Sequence, residues 1–206
     1  MNFLALKKTG ISALFTFLPL FSAFIAGCFN EPEPAYKSVP AENLLYLQGR
    51  GLKDISSIPV NPKASYLNLD RNAIVSIDGV EKFVGLKWLR LNENRLSRLP
   101  DLKPLVKLRR IYLRDNAFTE VPSSLKDLPE LTDIDLSGNP VQLVPDWLAT
   151  KKGLKNLSFS RTKLVRLPLD LSAWKSLQSL QLGDLHLSAE EMARIRAALP
   201  STRIVF

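Results

Sequence analysis

Three features have residue types and spacings that could carry chemistry: the only cysteine, Cys28, the only histidine, His186, and the carboxylates Asp133 and Asp135. An i, i+2 spacing puts both carboxylates on one face of a strand, as an acid and a base for glycoside chemistry would need. On an open strand face nothing excludes water or raises one of the two pKa values, so the pair reads as surface acids. His186 has no second histidine or cysteine to help it and reads as a surface histidine. One cysteine cannot close an intramolecular disulfide, and one cysteine with one histidine excludes the usual zinc sites. Neither a P-loop nor a dinucleotide fingerprint occurs. These exclusions disfavour most enzyme classes. The chain is expected to be non-enzymatic, with no catalytic residue, no metal and no dissociable cofactor.

The elements that would position these residues change character along the 206-residue chain. Lys7 and Lys8 precede an uncharged apolar run over residues 11–29, the layout of a secretory signal. The run is barely long enough to span a bilayer as a helix, and Pro19 interrupts it. A retained anchor, an unmodified cysteine or an ordinary signal-peptidase cut are alternative readings of the same residues. At the end of the run, Ile25-Ala26-Gly27-Cys28 resembles the bacterial lipobox, a branched apolar residue and two small ones before a cysteine. That resemblance implies a lipoprotein signal over residues 1–27, cleavage before Cys28 and acylation there, so that a covalent lipid holds the protein to a membrane. Phe29 stands where the resemblance would place an inner-membrane retention aspartate. The expected location is therefore the bacterial cell envelope, at the outer membrane in preference to the inner. Residues 28–40 carry Pro32, Pro34 and Pro40 and read as an extended tether, in which residues 29–40 reach at most roughly 37 Å.

From residue 41 onward the chain repeats itself. Leu86-x-x-Leu89-x-Leu91-x-x-Asn94-x-Leu96 is followed by Leu108-x-x-Ile111-x-Leu113-x-x-Asn116-x-Phe118 and Leu131-x-x-Ile134-x-Leu136-x-x-Asn139-x-Val141. The second apolar anchor of each unit falls at 47, 69, 91, 113, 136, 159 and 182, in steps of 22 and then 23. Alternation in L-x-L makes a short strand with its leucines inward, and a unit this small must stack on its neighbours to bury them. Asn72, Asn94, Asn116 and Asn139 form a ladder whose amides can satisfy backbone groups of the inner turn. Thr162 departs from that ladder, which predicts a locally altered turn.

The pattern resembles the leucine-rich repeat family over residues 41–206. The resemblance implies an α/β solenoid of about seven repeats, with a parallel β-sheet on its concave face and short helical or 3₁₀ turns on its convex face. Pro122, Pro145 and Pro168 open the stretches expected to turn helically, and the unit around Ile77-Asp78-Gly79-Val80 is expected to use a 3₁₀ turn. Ser188-Ala189-Glu190-Glu191 is a capping-box signature that opens a C-terminal cap over residues 188–206. Met192, Ile195 and Leu199 form its buried stripe, with Ile204 and Phe206 on a last strand. Glu190, Arg194, Arg196 and Arg203 are expected to face water. No obvious cap precedes Leu44 and Leu45, so the N-terminal strand edge reads as unprotected.

Outward-facing strand residues fall into rows about 4.8 Å apart on the concave face. Their N-terminal half gathers Tyr46, Tyr66, Trp88, Arg90, Arg110, Tyr112 and Arg114, the composition of a protein-binding hot spot. The competing reading is that Tyr66 stacks on Trp88, Arg110 pairs with Asp133 and Arg114 pairs with neighbouring acids. The net charge is +8, but the basic residues are spread and form no stripe interleaved with stacking aromatics, so nucleic acid is not expected. The function expected is a membrane-anchored recognition module for a protein of unknown identity. A structural envelope factor that binds anionic polysaccharide by charge is the alternative. Nothing in the sequence specifies an oligomeric state.

Overall fold

The structure, a computed structural model, describes residues 41–206. The signal over residues 1–27, Cys28 and the tether over residues 28–40 lie outside the described residues. Each L-x-L triplet is a three-residue strand: β1 Leu44–Tyr46, β2 Tyr66–Asn68, β3 Trp88–Arg90, β4 Arg110–Tyr112, β5 Asp133–Asp135, β6 Asn156–Ser158 and β7 Ser179–Gln181. The last strand, β8 Arg203–Val205, follows the C-terminal helix. Together they form one eight-stranded parallel sheet in which spatial order equals sequence order. A parallel pair needs a crossover, and here the remainder of each coil supplies it. The register aligns Leu45, Leu67, Leu89, Ile111, Ile134, Leu157, Leu180 and Ile204 in one row. From Leu67 to Leu180 that row is completely buried.

The turn that follows each strand has one conformation throughout. Gly49, Arg71, Glu93, Asp115, Gly138, Arg161 and Asp184, each two residues after an anchor, all have positive φ between 53° and 69°. The left-handed residue bends the chain inward, and the next side chain then reaches the backbone. Asn94 shows the pattern: its Nδ2 donates to the carbonyls of Leu69, Leu91 and Asn92 at 3.0–3.1 Å, and its Oδ1 accepts from Ile74 N–H at 3.0 Å. Asn72, Asn116 and Asn139 repeat it. Thr162 does not alter the turn. Arg161 keeps the left-handed φ of 55°, and Thr162 Oγ1 donates to Phe159 O at 2.7 Å. What changes is the hydrogen bonding, because a hydroxyl has a single proton and cannot span three carbonyls.

The convex side carries 3₁₀ turns at Val80–Lys82, Ser123–Leu125 and Ser172–Trp174, and a short helix α1 at Asp146–Ala149. Pro122 and Pro145 precede two of them, where a fixed φ suits the start of a helical turn. Each sends an apolar residue inward: Val80, Leu125, Leu148 and Trp174. Trp174 is fully buried, and its indole N–H donates to Leu148 O of the previous coil at 3.0 Å.

Helix α2 (Ala189–Ala198) closes the array. Ser188 Oγ accepts from Glu191 N–H at 3.1 Å, so the first half of the capping box is present. The second half goes elsewhere. Glu191 accepts from Leu167 N–H at 2.8 Å and from Arg194 at 2.8 Å. Arg194 does not face water as expected; it donates to the carbonyls of Leu167 and Leu169 at 3.2 and 3.1 Å. These two side chains satisfy convex backbone that would otherwise meet a further coil. Arg196 lies 4.6 Å over the Phe206 ring. Among the described residues no helix is long and apolar enough to cross a membrane.

Candidate interaction surface

The outward positions of β1 to β4 converge because the sheet is curved and its strands are only about 4.8 Å apart. Rings cannot all lie flat at that spacing, so they tilt against one another. Tyr46 and Tyr66 are 5.2 Å apart at 51°, Tyr66 and Trp88 5.2 Å at 86°, and Trp88 and Tyr112 5.7 Å at 62°. Arg110 sits 5.0 Å over the Trp88 ring and Arg90 5.7 Å over the Tyr112 ring. The rings and cations interlock in one ladder.

That ladder is less open than the sequence suggests. Tyr66, Trp88 and Tyr112 are 1%, 7% and 9% exposed, whereas Tyr46 at the end is 40% exposed. Each ring is covered by the next, so what meets solvent is Tyr46 and the half-buried guanidinium groups of Arg90 and Arg110. Arg114 is better covered.

The arginines are paired across coils. Arg90 grips Asp70 at 2.7 Å, Arg110 stands 3.9 Å from Asp133, and Arg114 contacts Glu93 and Asp115 at 3.2 Å each. The last two belong to a longer ionic chain: Arg71 pairs with Glu93 at 3.3 Å, and Arg161 with Asp115 at 3.0 Å. Arg161 and Asp115 lie two coils apart and meet because Gly138 stands between them. A Cβ on Gly138 would fall 2.0 Å from Asp115 Oδ1. Asp70, Glu93 and Asp115 were not among the expected site residues. Glu93 and Asp115 could have been found by counting two residues on from anchors 91 and 113; Asp70 meets Arg90 on a diagonal that only the register reveals.

Asp133 and Asp135 are not surface acids. They are 3% and 2% exposed. Asp133 accepts from Asn156 Nδ2 at 2.6 Å and from Thr132 Oγ1, and Asp135 from Ser137 N–H at 2.9 Å and Ser137 Oγ at 2.5 Å. Burial pushes the Asp135 carboxyl above its ordinary value, against the Ser137 hydrogen bonds. Burial raises Asp70 as well, outweighing Arg90 and the Asn92 N–H. The two carboxylates are locked into hydrogen bonds with their neighbours, an arrangement that holds the sheet rather than a water. His186 is exposed. No cluster of potential metal ligands occurs among the described residues.

Beyond Arg110 the face drops to short side chains, and a groove of about 460 Å³ opens along the N-terminal ends of β4 to β7. Arg109, Arg110 and Lys155 line it together with Glu130, Asp133 and Asn156.

Single-file parallel triplets, a left-handed turn every 22 or 23 residues and an inward asparagine after it decide the architecture. Residues 41–206 form a leucine-rich repeat solenoid. A family profile for the leucine rich repeat matches residues 84–141, the central coils. The leucine-rich repeat protein of Leptospira interrogans, a solved structure, superposes with a TM-score of 0.62 at 30% identity, over 68% of this chain and 36% of that one. Keratocan from Bos taurus is 29% identical over 182 residues, 84% of this chain and 49% of that protein. Human lumican is 32% identical over 165 residues, 76% of this chain and 46% of that protein. The chain spans about half the length of these curated relatives.

Proposed function

We propose that the chain is a non-enzymatic, lipid-anchored protein of the bacterial cell envelope whose leucine-rich repeats bind a protein partner through the concave face. The observation that carries the binding half is the interlocked ladder from Tyr46 to Tyr112 with arginines at its rim. Stacked coils present an extended concave surface suited to a macromolecule. Rings already held by their neighbours and guanidinium groups already held by carboxylates lose little freedom when a partner arrives. The anchoring half rests on Ile25-Ala26-Gly27-Cys28 behind its basic and apolar lead. Acyl chains on Cys28 would hold the protein stably, each buried CH₂ contributing about 0.8 kcal/mol, and Phe29 favours the outer membrane.

Crosslinking capture on intact cells tests both halves. Cys28→Ser is expected to move the protein out of the membrane fraction. Tyr46→Ala combined with Arg110→Ala is expected to lose the captured partner while keeping the thermal melt, and Leu169→Ser on the convex side to keep both. Capture that survives ~0.5 M salt, where the Debye length is about 4 Å, supports an aromatic-centred protein interface. Loss of all capture by that salt, with no effect of the Tyr46 and Arg110 changes, would replace this reading with binding of an anionic polysaccharide.

A further inference from the structure

We infer that the groove beside Arg110 is a subsite for one carboxylate side chain, Asp or Glu, of an extended protein segment laid across β4 to β7. The inference rests on the protein-binding reading above and adds the chemistry of the partner.

The groove begins where the face steps down. Trp88, Arg110 and Tyr112 stand on one side of the step, and Asn156, Ser158 and Ser179 on the other. Its charges do not cancel. Glu130 is held by Arg109 at 2.8 Å. Asp133 is already supplied by Asn156, Thr132 and Arg110. Lys155 remains: it lines the groove, is exposed, and takes part in no ion pair among the described residues. Gln178, exposed on the same wall one coil further on, adds an amide donor. The groove therefore has one cation more than its carboxylates neutralise, with amide and guanidinium donors around it.

That balance selects among anions. A single carboxylate can pair with Lys155 and accept from Gln178 or a planar guanidinium. A polyanion would bring further charges to a groove whose other two cations, Arg109 and Arg110, already stand with Glu130 and Asp133, so those charges would be desolvated without gaining a partner. A side chain bearing one charge on a mostly neutral backbone avoids that penalty.

The test uses the full chain and an immobilised degenerate peptide pool, five random positions on each side of a fixed Glu, compared with the same pool carrying Gln. Dextran sulfate serves as the polyanion probe. Wild type is expected to retain the Glu pool over the Gln pool by about fivefold, the scale of one partly screened charge pair. Lys155→Gln, an exposed change that leaves the melt intact, is expected to abolish the preference, and Gln178→Ala to reduce it. Equal retention of the two pools, no retention of either, a preference that survives Lys155→Gln, or Lys155-dependent binding of dextran sulfate alone would each overturn the subsite. Equal retention that still depends on Tyr46 would leave the concave face as the binding surface and remove only the carboxylate subsite.

Discussion

Asp135 is a buried carboxyl whose nearest donors are Ser137 N–H and Oγ, with the Arg114 charge further off and Asp115 opposing it. Its raised pKa fixes the sign of a pH effect. The unfolded chain ionises near the ordinary aspartate value, the folded chain only above it. Stability is therefore lost as pH rises through the interval between the two values. The denaturation midpoint of wild type relative to Asp135→Asn should fall as pH rises above the ordinary aspartate value, and a constant difference would contradict the assignment. Gly138 offers a second measurement at the same scale. Alanine there meets both a left-handed φ of 69° and the Asp115 carboxylate, whereas at Gly153, with φ 84°, a Cβ meets nothing within 4 Å. Gly138→Ala should cost about 2 kcal/mol and Gly153→Ala about 1 kcal/mol, read from urea midpoints.

The repeating turn is the element that the rest of the molecule copies. Asn94→Ala would leave Ile74 N–H buried without its acceptor and strip donors from three carbonyls, for a loss of about 3 kcal/mol. Thr162 permits the reverse experiment. Arg161 already holds the left-handed conformation, so an asparagine at 162 finds its turn prepared. Thr162→Asn is expected to stabilise by about 1 kcal/mol, and a loss would show that coil spacing there excludes the amide. At the C-terminal end, Glu191 and Arg194 play the same satisfying role for the convex backbone at Leu167 and Leu169. The Arg194 hydrogen bonds hold the Glu191 carboxyl below its ordinary value, against partial burial and with help from Leu167 N–H. This contribution is full at neutral pH and is lost progressively as pH falls below 4.5, the ordinary glutamate value, and through the lower folded-state value.

Among the described residues, strands pair only with their sequence neighbours, and the Arg161–Asp115 ion pair reaches across two coils by side chains rather than through strand pairing. Stability is then close to a sum of coils and of interfaces between them. Leu45 and Ile204, in the end strands, are only partly buried, while Leu89, Ile111 and Ile134 are completely buried. Amide hydrogen exchange should be slowest in β3 to β5 and fastest in β1 and β8; uniform protection would mean one cooperative unit instead. The same linear stacking lets two surfaces, an aromatic ladder and a short-side-chain groove, lie side by side and share Arg110 at their border.

The order of residues alone determined the period, the strand triplets, the turn asparagines and the C-terminal cap, because a coil of 22 or 23 residues cannot bury its leucines except by stacking. It also placed Tyr46, Tyr66, Trp88, Arg90, Arg110, Tyr112 and Arg114 on one face, since alternation along a strand needs no tertiary information. Three-dimensional packing decided how much of that face is open. Curvature and close strand spacing turned Tyr66 and Trp88 into each other's cover, buried Asp133 and Asp135 among donors, and carried Arg194 onto the convex backbone. The pairing of Arg161 with Asp115 across Gly138 belongs to the same class: it depends on the gap left by an absent side chain between two coils, a distance that a one-dimensional pattern does not contain.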